Sequence, residues 1–310
     1  MPSPSLFSLA FWQQWLDPDF LLPFAETFWQ PFLAGLAFAI LLPRLGCYLR
    51  LRGEWLAAFA YAQIAAAGAL VAMVFSLPLL LGGGAAALLA AAGKRLAGTS
   101  PRAQQQQAAA YPILLLLGWG LSVLLVSNLP MAERLGHALF DGQLYLTDGS
   151  HLLAGVLWAG IALLLLRPLS HRILLAQVFP DHFRASGQAQ WPTQLGFDLL
   201  TATSLALATM MLGVMAAFAL IFIPPWLAFR HAGSWRHGQM LALMVSLGAY
   251  LFSFLLALPL DQPFGPILAL VLVAVAAISP LRTIRHHATE PPSAAGPSPA
   301  GPAVRKGQKS

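Results

Sequence analysis

The side chains with chemistry to offer are few, and four of them fall between residues 137 and 151. His137, Asp141, Asp148 and His151 combine imidazole with carboxylate, a donor set that suits zinc. They are read either as a reception site for a cation at an outer surface or as a solvated loop making surface contacts. Asp198 is the clearest ionisable group inside an apolar stretch, within a turn or so of one end of it. Catalytic patterns are missing. No His-Glu-x-x-His zinc helix and no Gly-x-Ser-x-Gly nucleophile turn occurs. The nearest thing to a phosphate loop is Gly93-Lys94-Arg95, which lacks the earlier Gly and the Ser or Thr after Lys. The lone Cys47 excludes a disulfide framework and a Cys-based zinc site. The chain is therefore expected to have no catalytic residues and to bind no cofactor of its own.

Composition identifies the elements that must position these groups. Of 310 residues, 58% are apolar and only 9% are Asp, Glu, Lys or Arg, against roughly 25% charged in soluble domains. A water-facing surface cannot be covered with so little charge. The apolar residues lie in long blocks and not in the stripes of half-solvated elements. A bilayer core about 30 Å thick needs roughly 20 apolar residues per helix, and unpaired backbone groups are not tolerated inside it. The segments of about ten alternating residues that mark a membrane β-barrel are not seen. The expected fold is all-α, a polytopic membrane protein of about nine helices near 28–49, 55–76, 78–92, 110–128, 151–167, 194–212, 213–229, 238–258 and 264–280. The pairs meeting at Pro78 and at Leu212–Gly213 are expected as tight hairpins.

Charge supports the same count. With the N-terminus outside, the inner segments are 50–54, 93–109, 168–193, 230–237 and 281–310. Counting helix ends, they collect 16 of the 17 Lys and Arg residues, and only Arg134 falls outside. Basic loops stay cytoplasmic, so this split supports an odd number of crossings and an internal C-terminus. The net charge of +6 is this bias and not a nucleic-acid footprint. Residues 1–27 are expected as an external N-terminal segment, 28–282 as the transmembrane domain, and 283–310, rich in Pro, Ser, Ala and Gly, as a disordered cytoplasmic tail. Scarce intramembrane charge argues against a carrier driven by an ion gradient and for energy supplied by a partner.

Five segments carry a family resemblance across roughly residues 28–282. They are Gly46-Cys47-Tyr48-Leu49-Arg50-Leu51-Arg52-Gly53-Glu54-Trp55, Leu139-Phe140-Asp141-Gly142 with Leu146-Thr147-Asp148, Phe179-Pro180-Asp181 with Gly187, the run from Leu212 to Pro225, and Asp261-Gln262-Pro263-Phe264-Gly265-Pro266. In this order they resemble the ABC permeases of the zinc and manganese uptake family. The resemblance implies a homodimeric permease of the bacterial inner membrane, a separate ATPase subunit that uses the ATP, and an external substrate-binding protein. It implies that Phe179, Pro180, Asp181 and Gly187 couple to the ATPase, and that Gly213, Pro224, Gly265 and Pro266 are packing or hinge positions. The family's second helix usually carries an Asp and, four residues later, a His that ligate the metal. Here those positions read Phe59 and Gln63, and the acid usual at the start of the fourth helix is replaced within Gln104–Gln107. Phe59, Tyr61 and Gln63 are thus candidate pathway linings. The expected cargo is a divalent zinc- or manganese-class ion or a metal chelate. The alternative is a secondary transporter or channel.

Overall fold

Apolar runs of 15 to 30 residues become helices because only a helix pairs every backbone group within its own segment. The computed structural model describes residues 18–93, 101–142, 149–178, 190–260 and 262–288. The described residues form ten helices: α1 (Pro18–Arg52), α2 (Trp55–Val74), α3 (Leu79–Gly93), α4 (Pro101–Asn128), α5 (Pro130–Asp141), α6 (Gly149–Val178), α7 (Trp191–Leu212), α8 (Val214–His231), α9 (Trp235–Leu260) and α10 (Phe264–Ala288). Seven contain segments long and apolar enough to cross a membrane, and shorter apolar segments lie in α3 and α10. Each of the nine expected crossings therefore has a helix. The tenth, α5, was not expected, and it is the short amphipathic helix between the fourth and fifth crossings.

Several boundaries differ from expectation. The segment 168–193 was expected as a loop, but α6 runs through Pro168 to Val178. The proline removes one helical hydrogen bond, yet Leu169, Ile173 and Leu174 beyond it pack against the core and hold the helix on course. Helix α4 begins at Pro101, so Gln104–Gln107 lie on a helix. Helix α1 begins at Pro18, inside the expected external segment, and α10 continues to Ala288, past the expected start of the tail. No Gly or Pro interrupts 281–288, and the next helix breaker is Pro291.

Helices α1, α2 and α7 are the centre, with two thirds or more of their apolar windows buried, whereas α4 and α6 bury less than a quarter and present the rest outward. Leu116, Leu117 and Leu124 of α4 and Leu157, Leu164 and Leu165 of α6 are exposed, as a surface solvated by lipid allows. Small residues set the spacing where helices approach closely. A Cβ at Gly82 would strike Ala72 and the Gly68 carbonyl, and one at Gly83 would lie 2.8 Å from the Ala65 oxygen. Gly84 faces open space. Close helix approach in lipid is gained by this kind of van der Waals fit. Buried hydroxyls add directed ties between α9 and α1: Ser246 donates to the Ala39 carbonyl (2.7 Å) and Tyr250 to that of Phe32 (2.8 Å).

Both expected hairpins are present. Leu77 N–H donates to Ala72 O and Ser76 N–H to Met73 O, with Ser76 left-handed at φ 56°, before Pro78 starts the next helix. This is the double closure of a Schellman turn. The α1–α2 turn repeats it: Glu54 N–H bonds Leu49 O and Gly53 N–H bonds Arg50 O, with Gly53 at φ 70°. Helix ends gather as alternating crossings require. Arg50 lies over the Phe229 ring and Tyr48 meets Trp235 at the basic end, while Gly142, Gly213 and Gly265 meet at the other.

Candidate functional site

The basic end of the bundle holds an ion cluster that charge counting does not reveal. Arg52 closes α1 and was read as one more anchor on the inner surface. Its side chain is only 6% exposed. One guanidinium nitrogen lies 2.8 Å from Asp198 Oδ1 of α7, and the other lies 2.7 Å from Glu54 Oε2 across the Gly53 turn. The same guanidinium stands 5.1 Å from the Phe197 ring centroid. Asp198 is buried, 3% exposed at the side chain. The tight turn therefore aims Arg52 back into the bundle, where it binds the α1–α2 connection to the first turns of α7. A small cavity of about 20 Å³ beside Arg52 is bounded by Arg172 and Gln177 of α6 and by Gln190 and Gln194 at the start of α7. Arg52 thus sits between the two helix ends that flank residues 179–189.

A second feature runs along the face shared by α2 and α8. Trp55 and Phe59 are one turn apart on α2, and Phe218, Phe222 and Trp226 are spaced by four on α8. Residues four apart stack on one helix face, and these rings make a continuous column. Phe59 meets Phe218 at 4.8 Å between centroids, Trp55 meets Phe222 edge-on at 4.9 Å, and Phe218, Phe222 and Trp226 follow at 5.5 and 6.5 Å. All five rings are half-buried. Arg230 closes the basic end, its guanidinium 4.0 Å above Trp226. Such a column offers π faces and one cation–π contact, and it offers no metal-ligating atom.

The other pathway candidates separate. Tyr61 is two residues from Phe59, on the other side of α2, and it meets Tyr111 of α4 edge-on at 6.2 Å. Gln63 is 2% exposed, and its Oε1 has no hydrogen-bond partner among the described residues. The α4 backbone presses on it, since a Cβ at Gly118 would lie 2.7 Å from the Gln63 carbonyl carbon. His137 is exposed on α5, Asp141 ends that helix, and His151 lies in the first turn of α6. Asp148 lies outside the described residues, as do Phe179, Pro180, Asp181 and Gly187 of the expected coupling segment. Among the described residues no three His, Cys, Asp or Glu side chains gather where they could hold a metal ion.

Three of the resembling segments meet in space at the other end of the bundle. Gly142 caps α5 at φ 72°, and Gly213 links α7 to α8 at φ 89°. A Cβ at Gly213 would lie 2.7 Å from both Gly142 N and Cα, and one at Gly142 would strike the Leu212 carbonyl and lie 3.2 Å from Gly265 Cα. Backbone touches backbone there. Pro266 beside it is exposed, and Pro224 is buried within α8. Pro225 has no N–H to give Ile221 O, and that carbonyl faces Gly46 of α1, where a Cβ would collide with it. Glycine at 46 and proline at 225 belong to one helix contact.

An all-α bundle in which seven of the described helices are long and apolar enough to cross a membrane, with two shorter apolar segments beside them, is the architecture of a multi-pass membrane protein. The sequence matches the ABC 3 transport family over residues 25–282, and the chain belongs to that family. It is the membrane-spanning permease subunit of an ABC transporter. No individually curated protein matches the sequence. The fold is similar to that of PsaBC from Streptococcus pneumoniae, solved in complex with Fab, at 19% identity and TM-score 0.66, covering 87% of this chain and 94% of that one. It is also similar to an inward-facing ABC transporter described as of metal-chelate type, at 16% identity and TM-score 0.70, covering 90% and 92%.

Proposed function

We propose that the chain is the permease of an importer for divalent metal of the zinc or manganese class, and that the metal crosses as a complex with a small organic chelator. Two copies pair around a central path, an external binding protein delivers cargo to the outer face near His137, Asp141, Asp148 and His151, and a cytoplasmic ATPase engages the segment around Asp181. The aromatic column carries the choice of cargo. A bare Zn²⁺ or Mn²⁺ leaving water needs oxygen, nitrogen or sulfur ligands, and Phe59 stands where such a ligand is expected from the family resemblance. Trp55, Phe59, Phe218, Phe222 and Trp226 suit the apolar faces of an organic ligand that already satisfies its metal. The enclosed Gln63 Oε1 offers one hydrogen-bond acceptor a turn deeper. Arg52 carries the coupling, because it ties the α1–α2 turn to α7 beside the two helix ends that a bound ATPase would move.

Cells depending on this importer and supplied with zinc as the free ion or as an organic chelate should take up the chelate at least about tenfold faster. A Phe59→Ala, Phe218→Ala double variant should lose roughly three- to tenfold in chelate uptake, the scale of one aromatic pair, with membrane abundance unchanged. Free-ion uptake as fast as chelate uptake, and indifferent to the double variant, would sink the chelate assignment.

A further inference from the structure

A cavity of about 440 Å³ lies between the inner parts of α1, α6 and α9, sharing no lining residue with the ion cluster or the aromatic column. Three guanidinium side chains border it: Arg44 of α1, Arg167 of α6 and Arg236 in the first turn of α9. The ion pairs seen among the described residues, Arg52–Glu54 and Arg52–Asp198, involve none of these three arginines. Arg44 is the most telling. It is half-buried, two turns before the end of α1, inside a segment apolar enough to cross the membrane. A cation at that depth is expensive and is kept where it meets an anion or water. Tyr48 accepts a 3.0 Å hydrogen bond from Gln239 and retains its own O–H as a donor at the cavity edge. Ser170 of α6 adds a hydroxyl, and the rest of the wall is apolar, with Leu163 of α6 on one side and Met240 of α9, 61% exposed, on the other.

We propose that this cavity binds the phosphate of an anionic phospholipid from the inner leaflet. Guanidinium groups match phosphate oxygens with paired, charge-assisted hydrogen bonds. Basic pockets between membrane helices on the cytoplasmic side hold lipid headgroups by the same chemistry. The charge distribution of the sequence places this end of the bundle on the inner leaflet. Free phosphate would satisfy the three arginines but leave Leu163 and Met240 uncovered. A lipid satisfies both, with its headgroup on the arginines and an acyl chain along the apolar wall. The bound lipid would link α1, α6 and α9, whose charged ends otherwise repel one another.

The test is native mass spectrometry of the full-length protein in detergent, with phosphatidylglycerol, phosphatidylcholine or inorganic phosphate added separately. Phosphatidylglycerol should be retained on the order of tenfold more than phosphatidylcholine, and excess inorganic phosphate should not displace it. The R44Q/R167Q/R236Q variant should lose that preference, whereas R305Q/K306Q/K309Q, which removes the same charge from the tail, should keep it. Equal retention of the two lipids by the unaltered protein would overturn the proposal without any variant having to fold. Displacement by inorganic phosphate, or equal loss in the tail variant, would overturn it too.

Discussion

Arg52→Ala is expected to destabilise the protein by about 3–5 kcal/mol, because it strips two carboxylates of their shared cation in a buried setting. Asp198 would be left almost fully enclosed, and Glu54, 24% exposed, would lie nearby with the same charge. Asp198→Ala should cost less, since Glu54 still neutralises the guanidinium at 2.7 Å. The cluster is not inferred to add net stability. Burying three charges is expensive, and well-packed apolar replacements for such groups are often neutral or stabilising. Arg52→Met with Glu54→Gln and Asp198→Leu should therefore recover most of the stability lost by Arg52→Ala. Thermal unfolding of the detergent-solubilised variants orders the three. If the cluster also couples the ATPase to α1–α2, the apolar triple variant will fold yet transport poorly. An Arg52→Ala protein as stable as wild type would show that the pair is not buried in the membrane-embedded state.

Gly213→Ala is the second large effect. At φ 89° and ψ 159° an L-residue is strained by about 1–3 kcal/mol. Its methyl would also lie 2.7 Å from the Gly142 backbone, which has no side-chain rotamer with which to yield. Gly142→Ala meets the same obstacle from the other side, at φ 72° against the Leu212 carbonyl. Both variants should give little folded protein and a sharply lower unfolding temperature. Gly84→Ala is the matched control, since its Cβ enters open space within α3 and gains helix propensity of about 1 kcal/mol. A Gly213→Ala protein that unfolds with the Gly84→Ala control would contradict this packing.

Much of this arrangement was legible in the sequence, for reasons tied to the solvent. Lipid demands unbroken apolar runs, so the apolar helices and the hairpins at Pro78 and Gly213 stand out from composition alone. Helix α5 was not legible, since its twelve residues are amphipathic and sit between crossings as any outer loop might. Pro168 reads as a stop because a local rule ignores the core contacts of Ile173 further on. The ion cluster was hidden for a different reason. Counting Lys and Arg tells on which side a charge lies and nothing about how deep, and Asp198 is far from Arg52 along the chain. The meeting of Gly142, Gly213 and Gly265 is likewise tertiary, although each lies in a segment that carried the family resemblance.

The proposed function is transport of a chelated metal with energy from a separate ATPase. The most direct measurement is accumulation of radiolabelled zinc chelate in vesicles holding the permease reconstituted with its ATPase and binding protein. Accumulation should require ATP, stop with vanadate and be unaffected by collapsing the proton gradient. Accumulation that proceeds without ATP and follows the proton gradient would contradict it.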